Sequence, residues 1–240
     1  MTNPSVFELI GFGPQGWGLS LVVATGMTLA VASCGFLVGS AVGAAIAGAK
    51  LSANRILRSL GDGYTTVLRG IPDLLVIYLF YFGGSAALGA AGKLFGAQGF
   101  IGMPAFMTGV LAIGIVSGAY QAEVLRGAFN MVARGELEAA RSVGMGTWLR
   151  MRRIIAPQVL RYAIPGLGNT WQLVLKESAL ISVTGLVELL RQSQVAAGST
   201  RQPFDFYMVA AFLYLVVTVV STQLFKHAER RSLRGVKRGL

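Results

Sequence analysis

The chain has 240 residues, of which 54% are hydrophobic and only 13% are charged, and its formal net charge is +11. The charged fraction is about half of that usual for soluble domains. No charged residue lies between Glu8 and Lys50, and roughly 20 apolar residues suffice to cross a bilayer as a helix. These properties exclude an ordinary soluble domain and predict an all-α integral membrane protein.

Apolar runs in the sequence predict five transmembrane helices within a single domain that covers residues 1–240. The predicted spans are, in chain order, residues 18–48, 63–84, 103–125, 166–190 and 206–225. The fourth span has the weakest signal, because Lys176 and Glu177 interrupt it. No lysine or arginine precedes Lys50, so we expect no cleavable signal peptide and a first span that is retained.

The basic residues predict the orientation of these spans. Most of the 21 lysines and arginines follow the first span, lie between the third and fourth spans, or follow the fifth. Because loops rich in lysine and arginine stay on the cytoplasmic side, these three segments are predicted to be cytoplasmic. The N-terminus is then outside and the C-terminus inside. This topology accounts for the positive charge without a nucleic-acid partner.

Motifs that would bind nucleotides or metals in this chain are incomplete. The stretch GAAIAGAK at 43–50 has the glycine spacing of a P-loop, but it lacks the Gly-Lys-Ser/Thr ending that holds Mg²⁺ and ATP. The stretch GFGPQG at 11–16 precedes a membrane span rather than the helix of a βαβ unit. One histidine and one cysteine provide neither a metal site nor a nucleophile with its base. We therefore expect no catalytic residue, no metal and no cofactor in this chain, and ATP would have to bind to another chain.

Small residues and charge pairs in the predicted spans point to close helix packing. Gly35, Gly39 and Gly43 recur at four-residue spacing, which puts three missing side chains on one helix face. Packing within the chain and contact with another subunit both fit this face, and the frequency of such faces in membrane bundles favours the first. Glu123 and Arg126, and likewise Glu188 and Arg191, are three residues apart and predict structural ion pairs.

The segment 134–158 between the third and fourth spans is polar, basic and longer than a short connection requires. Glu138, Ala139 and Ala140 favour a short helix, and Gly144 favours a change of direction. An amphipathic stretch with apolar and arginine faces follows. By composition alone, this segment is either an interfacial helix pair on anionic lipid or a docking element for a partner.

The spacing of this segment resembles the EAA loop of the permeases of ABC importers. That family's pattern is EAA, three residues, G, nine residues, I, one residue, LP, and the matching positions here are Glu138, Ala139, Ala140, Gly144, Ile154 and Pro157. Ala156 departs from the pattern, since leucine is usual there. The stretches 63–75, 120–129, 165–182 and 199–216 also resemble polar amino-acid permeases, especially the Q-type subunits of histidine, arginine and opine importers.

The resemblance implies a type I importer permease fold in which the EAA loop is a coupling helix that contacts a cytoplasmic ATPase. It also implies a set of partners: a dimer of ATPase subunits that binds Mg²⁺ and ATP, a second homologous permease or a second copy of this chain, a periplasmic substrate-binding protein, and membrane lipid. The location would be the bacterial inner membrane. The chain itself would not be an enzyme, and it would form the translocation path for basic amino acids or opines.

Polar residues within the predicted spans are the candidates for contact with the solute, because ionisable groups there are costly and usually functional. Asp73 and Glu177 are the two acidic candidates, and Ser178 and Ser182 follow Glu177 along its helix. Two carboxylates would suit a cationic amino acid or an opine guanidinium. The alternative is that Glu177 forms a structural ion pair with Lys176 or Arg69.

A stand-alone carrier or channel for small polar solutes, working without ATP, is the alternative function. Such a protein would not need the polar segment 134–158, and internal repeats are common in carriers. The importer interpretation therefore explains more of the sequence.

Overall fold

The computed structural model describes residues 6–14, 16–94 and 102–233, and these residues form helices with no strand among them. The basic positions after residue 233 and the segment 95–101 lie outside the described residues. The helices are α1 Val6–Ile10, α2 Gly18–Leu51, α3 Arg55–Gly70, α4 Asp73–Tyr78, α5 Gly84–Leu94, α6 Ala105–Asn130, α7 Arg134–Ser142, α8 Thr147–Arg150, α9 Ala156–Glu177, α10 Leu189–Thr200 and α11 Pro203–Ser232.

Two π-helical segments and one 3₁₀ segment lie between these α-helices in the described residues. A π-helical segment, Leu79–Gly83, joins α4 to α5, and a second one, Met151–Ile155, joins α8 to α9. The 3₁₀ segment Ser178–Thr184 follows α9 and ends at Gly185, which has a φ of 87°. Within the described residues, four helical stretches are long and apolar enough to cross a membrane: Gly18–Leu51, Asp73–Leu94, Ala105–Asn130 and Pro203–Ser232.

The second and fourth predicted spans differ from the observed helices. The predicted span 63–84 is divided at Ile71 and Pro72, and the apolar stretch covers Asp73–Leu94 instead. Proline lacks a backbone N–H and disfavours helical geometry in the residue before it, which explains the break. The predicted span 166–190 is not one continuous helix either, because α9 ends at Glu177 and 3₁₀ geometry follows.

Helices α2 and α6 pack side by side along a stripe of glycines and run in the same direction. A Cβ added at Gly35 would lie 2.7 Å from Cγ2 of Ile113, and one added at Gly43 would lie 2.9 Å from Cβ of Gln121. From the other side, a Cβ at Gly114 would lie 2.6 Å from Cγ1 of Val38. The two backbones therefore approach as closely as missing side chains allow. The predicted glycine face is thus used within the chain.

Helix α9 runs opposite to both α6 and α11. Gly166 of α9 contacts Val124 near the end of α6, whereas Ile181, just after α9, contacts Gly109 near its beginning. The Gln172 amide donates a hydrogen bond of 3.2 Å to Thr222 of α11. Since α2 and α6 are parallel, the chain returns between them through α3, α4 and α5. The directions of successive long helices therefore alternate along the chain.

Glu188 holds α10 against the bundle at the end opposite to the hairpin segment 134–158. Its carboxylate accepts hydrogen bonds from the backbone N–H groups of Leu190 and Arg191 at 2.9 and 2.7 Å. It also accepts one from the Tyr214 hydroxyl of α11 at 3.1 Å. The predicted side-chain ion pair with Arg191 is therefore wrong, because this buried carboxylate caps the helix N-terminus instead.

Alanine substitutions at glycines of α2 should lower stability only where the glycine packs against another helix. Gly39→Ala is expected to destabilise the protein by about 1–3 kcal/mol, because its Cβ would lie 2.8 Å from Nε2 of Gln121 and 3.1 Å from the Gly114 carbonyl oxygen. Gly26→Ala is the matched control, since no atom lies within 4 Å of its added Cβ. The measurement is thermal unfolding of the detergent-purified protein. Equal melting temperatures for the two variants would contradict the packing described here.

Candidate functional site

The polar segment between α6 and α9 is a helical hairpin whose turn depends on Gly144. Gly144 adopts a φ of 76°, which is the left-handed region that side chains with a Cβ disfavour. Its N–H donates to the carbonyl of Arg141 at 3.0 Å, and the N–H of Met145 donates to the carbonyl of Ala140 at 3.0 Å. This pair of bonds is a Schellman motif, which satisfies the last carbonyls of α7 and reverses the chain.

The hairpin has two limbs: the first is α7, and the second runs from α8 to the start of α9. Together they bring most of the motif residues close to one another. A cleft of about 740 Å³ between the limbs is lined by Ala139 and Ala140 from α7 and by Ile154 and Pro157 from the second limb. A hydrogen bond from Gln158 to Glu136 links the limbs at this cleft. Glu138 is exposed on α7 outside the cleft. The sequence pattern thus corresponds to one compact structural element.

The outer surface of the hairpin is apolar at two positions next to its turn. Val143 is 75% exposed and Trp148 is 76% exposed. Exposed large apolar side chains on a polar element are candidates for contact with a partner. In the sequence, Trp148 lies within the predicted amphipathic stretch, and its exposure was not predicted.

Ala156, the position that departs from the motif, faces the bundle. It lines an apolar cleft of about 510 Å³ together with Ala47 of α2 and with Leu125 and Phe129 of α6. A leucine at this position would extend into that space, whereas alanine leaves it open. Alanine in place of leucine at position 156 therefore alters packing beneath the hairpin and leaves the exposed surface of the hairpin unchanged.

Asp73 and Glu177 are brought together although they are 104 positions apart in the sequence. Asp73 is the first residue of α4 and Glu177 is the last residue of α9, and their side chains are neighbours. Glu177 is only 5% exposed, and its Oε1 has no hydrogen-bond partner. Within the described residues, Glu177 forms no ion pair with Lys176 or Arg69. Two adjacent carboxyl groups without a cation are suited to a cationic ligand.

The Ser178 side chain stabilises local structure. The buried hydroxyl of Ser178 donates to the carbonyl oxygen of Leu175 at 2.7 Å. The half-buried Ser182 lies in the 3₁₀ segment, where its carbonyl accepts a hydrogen bond from Gly185 at 3.1 Å. The Ser178 hydroxyl therefore already donates its hydrogen bond to a carbonyl at the end of α9. Asp73 and Glu177 are the stronger candidates for solute contact.

A cluster of charges surrounds the buried side chain of Lys50, and the part that Lys50 plays in it was not predicted from the sequence. The Lys50 side chain is 7% exposed, and its ammonium group contacts Asp62 at 2.9 Å, the Thr65 hydroxyl at 2.8 Å, and Glu123. Glu123 also accepts from Arg126 at 2.8 Å, which confirms that predicted pair. From the sequence, Lys50 is only one of the basic residues at the end of the first span that predict a cytoplasmic segment. Its burial depends on α3 folding back against α2 and α6, which local sequence does not show.

These features define a class: a multi-pass helical membrane protein with a motif-bearing hairpin at one end and an acidic pair inside the bundle. The chain belongs to the family described as binding-protein-dependent transport system inner membrane component, whose model matches residues 35–234. The predictions of a permease subunit of an ABC importer, located in the bacterial inner membrane, are confirmed by this family and by the relatives below. Family membership implies a binding protein and a separate ATPase as partners.

Several curated relatives match along nearly their whole length. The chain is 59% identical to the octopine transport system permease protein OccQ of Rhizobium radiobacter, with 97% of this chain and 98% of the relative covered. It is 49% identical to the nopaline transport system permease protein NocQ of Agrobacterium fabrum, with 95% and 98% covered. It is 39% identical to the histidine/lysine/arginine/ornithine transport system permease protein HisQ of Escherichia coli, with 92% and 98% covered.

Two solved structures share the fold. A chain of an amino acid ABC transporter crystallised with histidines is 34% identical, with a TM-score of 0.75 and coverage of 90% of this chain and 95% of that chain. A chain of the inward-facing MetNI methionine ABC transporter is 19% identical, with a TM-score of 0.63 and coverage of 92% and 98%. The second likeness shows the fold alone. The alternative of a carrier or channel without ATP receives no support from these matches.

Proposed function

We propose that this chain forms the translocation path for basic amino acids or opines in an ATP-driven importer, and that a periplasmic binding protein delivers the solute. The observation that carries the proposal is the pair of adjacent carboxyl groups of Asp73 and Glu177, which have no cationic partner among the described residues. A guanidinium or ammonium group would neutralise this pair. The relatives named for octopine, nopaline and basic amino acids support the same solute class.

The hairpin is proposed as the contact with the ATPase. Exposed Glu138 would provide a charged contact, and Gly144 would provide the turn that presents it. The remaining motif residues, Ala139, Ala140, Ile154 and Pro157, would set the width of the cleft between the limbs. Two ATPase subunits, a second permease of the same or similar sequence and surrounding lipid would complete the assembly.

The proposed topology has five crossings, with the N-terminus outside and the C-terminus inside. It is supported by the alternating directions of α2, the α3–α5 segment, α6, α9 and α11. Helix α9 is proposed as the least apolar crossing, with its polar side chains facing other helices. Closure of the ATPase pair would then move the hairpins, and the bundle would alternate between two access states as packed rigid bodies.

The test is transport in proteoliposomes that contain the complete assembly with its binding protein and ATPase. We expect octopine or arginine to accumulate when ATP is enclosed with the ATPase, because the partner's ATP hydrolysis supplies the free energy. Vesicles without the binding protein and vesicles with a non-hydrolysable ATP analogue are the controls. Accumulation that continues in both controls would support a carrier without ATP and would contradict the proposal.

A further inference from the structure

A polar cleft lies beside the acidic pair, between α3 and α6. It has a volume of about 460 Å³, and its lining includes Lys50, Thr65, Thr66, Arg69, Tyr120 and Glu123. The lining therefore contains two cations, one carboxylate and three hydroxyl groups. A cleft with this composition and volume suits a small charged solute and not a lipid chain.

The charges in this cleft are not equally available to a ligand. Lys50 is bound to Asp62 and Glu123, and Glu123 is bound in turn to Arg126. Arg69, in contrast, forms no ion pair and no hydrogen bond within the described residues, and its side chain is exposed. The guanidinium group has five N–H donors and always carries its charge. Arg69 is therefore the cation of this cleft that remains available to a ligand.

Arg69 is held in a defined position next to the acidic pair. Its Cζ lies 5.4 Å from the centroid of the Tyr120 ring. Tyr120 is also close enough to Asp73 and Glu177 for their charges to act on its hydroxyl. Tyr120 thus lies near both an unpaired cation and two carboxyl groups that have no cationic partner among the described residues. A cation–π contact at an exposed site is weak and leaves the guanidinium donors free.

We infer that Arg69 binds the carboxylate of the transported solute while Asp73 and Glu177 bind its cationic end. This inference rests on the proposed function and makes it more specific. Planar guanidinium groups bind carboxylates through two parallel hydrogen bonds, which fixes orientation as well as charge. The site would therefore select solutes with a cation and a carboxylate at opposite ends, as basic amino acids and opines have. An amine that lacks the carboxylate would bind weakly.

The test compares two probes on the purified complex in detergent, without the binding protein: L-arginine and agmatine, which is arginine without its carboxylate. Wild-type complex is expected to bind arginine at least about tenfold more tightly than agmatine, since hydrogen bonds to charged groups contribute about 1.5–3 kcal/mol. Arg69→Gln is expected to lower arginine affinity to the level of agmatine and to leave agmatine affinity unchanged. Arg55→Gln, an exposed cation at the other end of α3, is the matched control.

The comparison of the two probes separates ligand binding from a structural role. If Arg69 only supported the fold, Arg69→Gln would weaken both probes equally, and that result would overturn the inference. An unchanged preference for arginine in Arg69→Gln would overturn it as well. Failure of both probes to bind to wild-type complex would instead count against the proposed solute class, and the inference would fall with it.

Discussion

Gly144→Val is expected to reduce ATP-driven uptake by at least about tenfold while leaving membrane insertion unchanged. Gly144 has a φ of 76°, and a β-branched residue in that region is strained. The left-handed conformation costs a residue with a Cβ about 1–2 kcal/mol, so the turn would open and displace the contact surface of the hairpin. The measurement is solute accumulation in proteoliposomes, together with the amount of complex recovered with the ATPase.

Gly146→Val provides the matched control for this prediction. Gly146 lies two residues further along the same turn with a φ of −62° and a ψ of 159°, which valine adopts without strain. No atom lies within 4 Å of a Cβ added at either glycine, so the two variants differ in backbone strain and not in crowding. Equal uptake by the two variants would show that the left-handed turn is not required for coupling.

Asp73→Asn and Glu177→Gln are each expected to reduce uptake of octopine or arginine by about 10–100-fold. Each substitution removes a negative charge and keeps the shape of the side chain, and a hydrogen bond between charged groups contributes about 1.5–3 kcal/mol. ATPase activity stimulated by the loaded binding protein is expected to persist, because the hairpin is unchanged. The measurements are initial uptake rate and ATP turnover in the same proteoliposomes.

Asp205→Asn is the control for loss of one acidic side chain, because Asp205 lies in the first turn of α11 and away from Asp73 and Glu177. Its uptake is expected to stay close to that of the wild type. Since the two site carboxyl groups are neighbours, the double variant should lose less than the product of the single losses. Wild-type uptake by both single variants would show that the acidic pair is not part of the translocation path.

The membrane class and the hairpin were predictable because their signals are local. The charge-free interval before Lys50 and the spacing from Glu138 to Pro157 are both readable within one stretch of sequence. The turn at Gly144 was predicted from glycine alone, and the structure explains it by the left-handed φ. Local composition and fixed spacing therefore sufficed for these elements.

The remaining features were not predicted, for two different reasons. The break at Pro72 lies within an otherwise apolar pattern, and the averaged hydropathy of a span does not reveal it. The fourth span ends early because Gly185 closes a 3₁₀ segment. Lys50 is buried only because α3 folds back against α2 and α6. The two breaks thus follow from local residues that an averaged hydropathy pattern does not register, whereas the burial of Lys50 is decided by packing between helices, which single-sequence patterns do not contain.

Two helical segments of unequal length, the last part of α6 and most of α9, connect the hairpin to the candidate site. Tyr120 lies ten residues before the end of α6 at Asn130, and Glu177 lies 21 residues beyond the start of α9 at Ala156. At 1.5 Å per residue, these segments are about 15 Å and about 32 Å long. If each helix tilted rigidly about its hairpin end, Glu177 would move about twice as far as Tyr120, because displacement grows with distance from the pivot. Under the proposed coupling role, movement of the hairpin would therefore change the spacing between the Glu177 carboxyl group and the Tyr120 ring.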